Sequence, residues 1–368
     1  MKRKIILIDS TWPINSRTKK FQNSFSKKFE TKVCAWNRSG LKSKYQDDEF
    51  VIESNTTYGR RLKKLIHLPV FLFHIIKVLR SVRPDLVFAS HWDALILTKI
   101  ATFFISSSPK IIYDCLDLPT SSNRFLLIFL RVIESVFCRR VNLIILASRY
   151  FDRFYSNYNI LIYENYPSCK ITRNDNSSSN LLEKISVIKN EEVTYLSWIG
   201  VVRYEKVLKN IAEVLRLSNG NLNLMVFGDG PAFKWFQDYV LEIGIFNSVH
   251  FFGRYEQSDL FDIYSSSDLV WAAYPTEDFN AIYAISNKYF ECSYFCKPII
   301  VSANTEMAKN NLSNKNILAV NESDALDIFS TISSRFKKYG TYEKYEPDIT
   351  WESHEQKLIT KIEDLFDY

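Results

Sequence analysis

Short apolar runs alternate with longer amphipathic stretches along the whole chain, and this alternation constrains the fold more than any other feature. Such a pattern is typical of βαβ units, which build parallel sheets. It runs from residues 4–8 to residues 160–163, and it starts again at residues 194–198. The sequence therefore predicts an α/β protein with two doubly wound, Rossmann-like domains that face a central cleft.

A polar segment rich in Ser and Asn separates the two series, between residues 173 and 180. A length of 368 residues suits two domains, because single hydrophobic cores stop growing at smaller sizes. We predict an N-terminal Rossmann-like domain over 1–167, a linker over 168–190 and a C-terminal Rossmann-like domain over 191–350. Residues 351–368 are expected to form a helix that packs back on one of the two domains. Of the two, we predict the N-terminal domain.

The cysteines and the apolar runs indicate the cellular compartment. Six cysteines are scattered along the chain without a C-x-x-C pair, which favours neither a disulfide framework nor a zinc site. The apolar run at residues 5–8 is too short for a signal peptide, and no run approaches the roughly 18 residues of a membrane span. A cytoplasmic protein is expected, and any membrane contact should be peripheral.

The net charge of +6 includes a basic amphipathic segment at residues 60–83. Its basic members are Arg60, Arg61, Lys63, Lys64, His67, Lys77, Arg80 and Arg83. Two readings remain open, a helix with a solvated face or a helix held against anionic lipid headgroups. Four further arginines favour the lipid, namely Arg124, Arg131, Arg139 and Arg140. Nucleic acid is not expected as a partner, because no zinc or RNA-binding signature accompanies the charge.

The first turn of the C-terminal half carries cations at the mouth of a strand. Residues 194–198 run into Gly200, and Arg203 and Lys206 follow as a helix opens. A cation beside a helix N-terminus is a suitable site for a diphosphate. We therefore predict that Lys206, together with Arg203, holds such a group.

Two further turns follow in the same half. Gly228-Asp-Gly230-Pro231 is a sharp strand-to-helix turn with Pro near the first helical position. Its glycines serve either the turn alone or backbone contacts with a ligand. Arg254 and Tyr255 follow the next strand, and they either pack locally or contact a nucleobase.

The last block of this half is Asn287-Lys288-Tyr-Phe-Glu291. Lys288 and Glu291 are three residues apart and share one face of the expected helix. A carboxylate placed there accepts hydrogen bonds from both ribose hydroxyls, while the helix start favours a diphosphate.

This order of features resembles glycosyltransferase family 4 (group 1), enzymes of the GT-B fold in bacterial surface polysaccharide synthesis. The resemblance is carried by the Gly228–Pro231 turn and by the block from Asn287 to Pro298. Glu291 matches the second glutamate of the family's E-x7-E motif, whereas Tyr283 stands where the first would be. Val201 stands where many members have Arg, and Arg203 is the expected substitute.

The resemblance implies a hexosyltransferase-type glycosyltransferase, which needs neither a metal nor another cofactor. Its donor would be a nucleotide-diphosphate sugar, and its acceptor a hydroxyl of a glycan, plausibly a lipid-linked one. The C-terminal domain would hold the donor and the N-terminal domain the acceptor. The residues implied for the donor are Arg203, Lys206, Gly228, Gly230, Pro231, Arg254, Tyr255, Asn287, Lys288 and Glu291.

The N-terminal half places polar residues after its expected strands. Asp9, His91, Asp114 and Asp117 all stand at such ends. Asp117 is the candidate base for an acceptor hydroxyl if the reaction inverts the anomeric carbon. If it retains, His91 or Asp117 would orient the acceptor. A structural role is favoured for Asp114.

Two other functions remain open. A sugar-nucleotide epimerase uses the same fold and a similar diphosphate site. A non-catalytic GT-B subunit that recruits a partner enzyme is the second, and Tyr283 in place of a glutamate is the residue that favours it. A dehydrogenase is disfavoured, because the first turn after residue 8 has no G-x-G-x-x-G.

Overall fold

The computed structural model describes residues 2–38, 44–54, 61–169, 179–336, 342–347 and 350–367. It does not describe the side chains of residues 61–65 and 179–180, so Arg60 and the side chains of Arg61, Lys63 and Lys64 lie outside the described part. The chain divides into two compact units. The first consists of Met1–Asn165 with His354–Tyr368, and the second of Tyr166–Ser353.

The first unit is built on a sheet of parallel strands. These are β1 (Lys4–Asp9), β2 (Glu30–Asn37), β3 (Glu49–Glu53), β4 (Leu86–Ser90), β5 (Lys110–Cys115), β6 (Leu143–Leu146) and β7 (Ile160–Ile162). Their order in the sheet is β3-β2-β1-β4-β5-β6-β7. Strands β4 and β6 are buried along their whole length, as expected when helices cover both faces of a parallel sheet.

Helices connect these strands in sequence. They are α1 (Ser16–Ser26), α2 (Arg61–Val82), α3 (His91–Thr102), α4 (Arg124–Cys138) and α5 (Asp152–Tyr155), the last preceded by a 3-10 turn at Arg149–Phe151. Asn15 caps α1 by accepting a hydrogen bond from the Thr18 amide, and Asn123 caps α4 in the same way.

Strand β3 is absent from the sequence prediction. It lies at the edge of the sheet and pairs only with β2. None of its residues is fully buried, and Glu stands at both ends. Its apolar run, at residues 50–52, is only three residues long and is flanked by Glu49 and Glu53, so the sequence signal for a strand is weak.

A buried ion pair ties α1 to the carboxyl end of β5. The Arg17 guanidinium donates to both oxygens of Asp114 at 2.9 to 3.1 Å, and its Nη2 donates to the carbonyl oxygen of Tyr163 at 2.6 Å. Both side chains are almost fully buried, with 1% and 0% exposure. Asp114 is therefore committed to holding the first unit together.

The second unit repeats the architecture. Its strands are β8 (Thr194–Ile199), β9 (Leu222–Phe227), β10 (Val249–Gly253), β11 (Leu269–Ala272), β12 (Ile299–Ser302) and β13 (Ile317–Val320), in the order β10-β9-β8-β11-β12-β13 and all parallel. Its helices are α6 (Ser179–Ile188), α7 (Glu205–Leu217), α8 (Phe233–Glu242), α9 (Leu260–Ser266), α10 (Phe279–Tyr283), α11 (Asn287–Tyr294), α12 (Glu306–Asn310) and α13 (Ala325–Ser333), with 3-10 turns at Phe246–Ser248 and Gln257–Asp259.

The core of the second unit follows from helical and strand periodicity. Val207, Leu208, Ile211 and Leu215 recur along one face of α7 and are all buried. Large aromatic side chains complete the core beneath the strands. The Trp271 indole is fully buried because its Nε1 donates to the carbonyl oxygen of Ala273 at 2.8 Å.

Within the segment expected to be a linker, residues 179–188 form α6. Leu181, Ile185 and Ile188 recur at helical spacing, and Ile185 is buried. Residues 170–178 lie outside the described part of the chain.

The last helix, α14 (Trp351–Asp367), begins in the second unit and continues into the first. Its later part packs on the first unit, where Glu355 and Glu363 pair with Lys27 and Lys28 and Phe366 contacts Phe29.

In each unit the strand order reverses at one point. The reversal lies between β1 and β4 in the first unit and between β8 and β11 in the second. The prediction of two doubly wound α/β domains is thereby confirmed. Ligands of such sheets bind beyond the carboxyl ends of the strands at the reversal, which is where a site is to be sought.

We expect Arg17→Ala to lower the free energy of unfolding by about 3–5 kcal/mol, because it leaves the buried Asp114 carboxylate without its partner. Arg3→Ala is the control, since Arg3 pairs with Asp85 near the surface and such pairs contribute roughly 0–1 kcal/mol. Urea unfolding followed by circular dichroism measures both. Equal losses in the two variants would contradict a structural role for the buried pair.

Candidate functional site

The first turn of the second unit's reversal point has an unusual backbone. Gly200, directly after β8, has a φ of 110°, and Tyr204, which precedes α7, has a φ of 70°. A left-handed tyrosine is sterically costly, and such conformations cluster at functional sites. The turn is thus shaped by constraints beyond the local sequence.

Two glycine turns touch through their backbones at this edge of the sheet. A Cβ built on Gly228 would lie 1.9 Å from the carbonyl oxygen of Gly200, and one built on Gly230 would lie 2.4 Å from that of Val202. The Val202 amide donates to the carbonyl oxygen of Asp229 at 3.0 Å. Only glycine permits this approach, so these positions do more than turn the chain.

The two turns border an open cavity of about 490 Å³, within the range of small-molecule sites. It is lined by Gly200, Val201, Gly228, Asp229, Gly230, Arg254 and Tyr255. Arg254 Nε donates to Asp229 Oδ2 at 3.1 Å, which ties the loop after β10 to the glycine turn. Four residues predicted from the sequence, Gly228, Gly230, Arg254 and Tyr255, therefore meet in one place.

Lys288 brings a cation to the first turn. Its Nζ lies 3.7 Å from a Cβ built on Gly200 and 5.6 Å from the centre of the Tyr274 ring. Burial by itself would lower the pKa of this ammonium, but Tyr274, Glu291 and Tyr255 outweigh it and raise the pKa above its usual value. Lys288 is therefore charged at neutral pH, where an anionic ligand group would meet it.

A buried tyrosine orients the carboxylate of the same helix. The Tyr264 hydroxyl donates to Oε2 of Glu291. Its ring is fully buried and stacks on Phe295 with the ring centres 5.0 Å apart. Burial, and then the neighbouring Glu291 charge, raise the pKa of Tyr264 well above its usual value, so the hydroxyl remains a donor. No motif marks Tyr264, and the sequence reasoning missed it.

The other predicted donor residues lie at the surface of the second unit. Lys206 stands exposed in the first turn of α7, and the Arg203 guanidinium lies 4.8 Å above the Tyr204 ring. Pro231 is exposed two residues before α8, and Asn287 is exposed as the first residue of α11. The cation that the described contacts place beside Gly200 is Lys288, and the role of Lys206 stays a prediction.

Two further positions of the second unit are Tyr283 and Glu322. Tyr283, in place of the family's first glutamate, ends α10 and contacts the Phe279 ring at 5.1 Å. Glu322, after β13, is buried and accepts from the amide and hydroxyl of Thr276 at 3.2 and 3.4 Å. The sequence reasoning missed Glu322, and a lone polar residue after a predicted strand was its only signal.

The first unit places its own polar cluster at its reversal point. Asp9, fully buried after β1, accepts from the amide and side chain of both Thr11 and Asn15 at 2.7 to 3.2 Å. Asn15 also donates to Ser90 Oγ at 3.1 Å. His91, the residue after Ser90, has a φ of 70°. Burial raises the pKa of Asp9, and the charge of His91 opposes that rise.

Asp117 lies apart from this cluster in sequence, on the loop after β5, with an exposed side chain. Its carbonyl oxygen accepts a weak hydrogen bond from Cys115 Sγ at 3.9 Å. Among the residues that the structure describes, no group of three or more His, Cys, Asp or Glu side chains is arranged to hold a metal ion.

Comparison with known proteins places the fold in a class. Residues 182–333 match the family described as glycosyl transferases group 1. The fold is similar to that of sucrose-phosphate synthase from Thermosynechococcus elongatus, at a TM-score of 0.76 and 12% identity over 100% of both chains. It is also similar to Anabaena HepE in complex with UDP-glucose, at 0.70 and 13% over 98% of this chain and 99% of that one. No curated protein matches the chain significantly by sequence.

A third solved structure is similar as well. MnaA of S. aureus in a co-structure with UDP aligns at a TM-score of 0.67 and 12% identity, over 99% of this chain and 97% of that one. The fold is thus the GT-B fold, and residues 182–333 of the second unit match the group 1 glycosyltransferases. The resemblance to group 1 is confirmed over these residues, and the assignment to family 4 stays a prediction.

We expect Gly228→Ala to lower the Tm more than Gly220→Ala does. Both glycines have a positive φ, of 142° and 85°, so alanine costs about 1–2 kcal/mol at either position. Only at Gly228 does the new Cβ also meet a backbone oxygen, and this overlap should add about 1–3 kcal/mol. Calorimetric unfolding measures both variants, and equal Tm values would contradict the close approach of the two turns.

Proposed function

We propose that this protein is a glycosyltransferase that moves a sugar from a nucleoside diphosphate sugar to a hydroxyl group of an acceptor glycan. The observation that carries the proposal is the Lys288 ammonium beside the Gly200 turn, with the oriented Glu291 carboxylate on the same helix face. The group 1 match over residues 182–333 supports the reaction class. Complexes of Anabaena HepE with UDP and with UDP-glucose support the donor class.

The residues of the site favour one orientation of the donor. Its diphosphate would lie against the Gly200 and Gly228 turns, near Lys288 and the N-terminus of α11, because amides and the helix dipole favour anions there. The Glu291 carboxylate would accept hydrogen bonds from the ribose hydroxyls. The nucleobase would then lie toward Arg254 and Tyr255, in the cavity that these residues line.

Lys288 would also assist the chemical step. When the bond between the anomeric carbon and the diphosphate oxygen breaks, negative charge grows on the leaving diphosphate. An ammonium already in place stabilises that charge in the transition state. Lys206 and Arg203 are proposed to add to it from the first turn of α7. With these cations the reaction needs no metal ion.

The acceptor is proposed to bind the first unit. His91 directly follows β4 at the carboxyl edge of the first sheet, and we propose that it binds or deprotonates an acceptor hydroxyl. Asp117 is the alternative base, with an exposed carboxylate on the loop after β5. The family resemblance suggests a lipid-linked glycan in surface polysaccharide assembly, at the cytoplasmic face of a membrane.

Two other functions keep a supporting observation. An epimerase is supported by the likeness to a putative UDP-N-acetylglucosamine 2-epimerase from Listeria monocytogenes, at a TM-score of 0.61 and 12% identity over 100% of this chain and 97% of that one. A non-catalytic subunit is supported by Tyr283 in place of a glutamate. An epimerase would convert a nucleotide sugar without an acceptor, and a non-catalytic subunit would turn over none.

We expect Lys288→Met to lower kcat/KM for the donor by about 10²–10³-fold, because charge on the leaving diphosphate loses its stabilising cation. Lys309→Met is the control, since Lys309 pairs with Glu306 at the surface. Release of UDP, GDP or TDP from a panel of nucleotide sugars, with a glycan acceptor and in EDTA, gives the rates. Equal loss in both variants, or activity abolished by EDTA, would contradict the role of Lys288.

We expect Glu291→Ala to abolish the thermal shift caused by the matching nucleotide sugar. Tyr264→Phe should raise KM for that donor about tenfold with little change in kcat, because it frees the carboxylate that Tyr264 orients. Tyr345→Phe is matched to it, since this buried hydroxyl donates to the Tyr289 carbonyl oxygen instead. The donor-site assignment is wrong if none of the nucleotide sugars raises the Tm of the wild type, or if one raises the Tm of Glu291→Ala by the same amount.

A further inference from the structure

Helix α4 carries its apolar side chains toward solvent. Over its 15 residues, Phe125, Ile128, Phe129 and Val132 are exposed by 86%, 54%, 59% and 56%. These residues recur at intervals of three and four, so they form one stripe along the helix, and Val136 extends it. A helix on the surface of a protein in water normally presents the opposite pattern.

The buried face of α4 explains why the helix cannot rotate to bury the apolar stripe. Its fully buried residues are Glu134 and Cys138. The Glu134 carboxylate accepts from the hydroxyls of Tyr113 and Tyr155 at 2.7 and 2.5 Å. Rotating the helix to hide the stripe would break these buried hydrogen bonds, so the rotation of α4 is fixed from within.

The charges around the stripe are of one sign. Arg124 stands exposed at the start of α4, and Arg139 and Arg140 stand exposed just after its end. The only carboxylate within residues 124–140 is the buried Glu134. The exposed part of this segment therefore combines apolar side chains with cations at both ends.

Neighbouring helices extend this surface. Lys99 of α3 donates to the Arg139 carbonyl oxygen at 3.0 Å, and Arg80 of α2 donates to that of Phe104 at 2.8 and 3.1 Å. The ends of α2, α3 and α4 thus meet. Phe103 and Phe104, at the end of α3, are exposed by 83% and 55%.

Helix α2 adds a second apolar stripe. Ile66, Val70 and Phe73 are exposed by 72%, 46% and 72% at spacings of four and three. Residues 61–83 contain no Asp or Glu, and Lys77, Arg80 and Arg83 are exposed. This helix is the basic segment recognised in the sequence, and its described part is as apolar as it is basic.

We propose that α4 lies flat in the headgroup region of an anionic lipid bilayer, with Phe125, Phe129 and Val132 inserted between acyl chains. Arg124, Arg139 and Arg140 then meet the lipid phosphates at the two ends, and the phenylalanines after α3 insert beside them. This arrangement is that of an interfacial amphipathic helix. Among the described residues, no helix is long and apolar enough to cross a membrane.

This inference goes beyond the proposed function, since it uses no residue of the donor site. It also differs from a purely electrostatic contact, because insertion of the stripe persists at salt concentrations that screen headgroup attraction. A second copy of the chain is a poorer occupant. A symmetric antiparallel pairing of α4 would place Arg124 of one copy near Arg139 and Arg140 of the other, and like charges repel.

The test is sedimentation of the full chain with vesicles of phosphatidylcholine and phosphatidylglycerol, at low salt and at 0.5 M salt. We expect the wild type to bind anionic vesicles and Phe125→Ser/Phe129→Ser to reduce partitioning at least tenfold. The control is Val187→Ser/Leu326→Ser, which removes exposed apolar residues of the second unit, 86% and 68% exposed. It should bind as the wild type does.

Three outcomes would overturn the proposal. The wild type fails to bind anionic vesicles, or binding survives Phe125→Ser/Phe129→Ser unchanged, or the wild type forms dimers that this variant abolishes. Sedimentation velocity reports the dimers. Because both substituted side chains are exposed, thermal unfolding should be unchanged, and donor-induced thermal shifts should be equal in the variant and the wild type.

Discussion

The approach of two backbones at the carboxyl edge of the second sheet governs much of what this protein can do. Where Gly200 and Gly228 meet, a side chain on Gly228 would overlap a carbonyl oxygen at 1.9 Å. The contact exists because β8 and β9 are neighbours and each is followed directly by a glycine. It leaves the cavity bordered by main chain and places the Lys288 ammonium directly at the first turn.

Charged groups at this edge are held by aromatic partners more than by each other. Tyr274 faces the Lys288 ammonium, and the buried Tyr264 hydroxyl fixes Glu291. A stacked ring, Phe295, fixes Tyr264 in turn. The abundance of Tyr and Phe in the chain, 21 and 27 residues, is thus used to position charges at the site as well as to fill the cores.

The first unit shows a different use of buried polar groups. In the interior of the unit, the Glu134 carboxylate accepts hydrogen bonds from two tyrosine hydroxyls. The apolar side of α4 therefore remains at the surface. Arg17 and Asp114 fasten α1 to β5 in the same interior. In both arrangements, buried hydrogen bonds fix the orientation of a helix. The hydrogen bonds of Glu134 also leave the apolar side of α4 exposed, which is unfavourable in water.

The sequence by itself determined the doubly wound architecture, because most of the strands are short apolar runs that alternate with amphipathic stretches. The half-exposed edge strand β3 was not predicted. The sequence also indicated the glycine turns and the spacing of Lys288 and Glu291 on one helix. Only the tertiary structure decided which cation lies at the first turn. Lys206 and Lys288 both stand near the start of a helix in the sequence, and the described contacts place Lys288 beside Gly200. Tyr264 reaches Glu291 across 27 residues, and the outward face of α4 depends on tyrosines from β5 and α5. Periodicity tells which residues share a face, but only packing tells which way that face points.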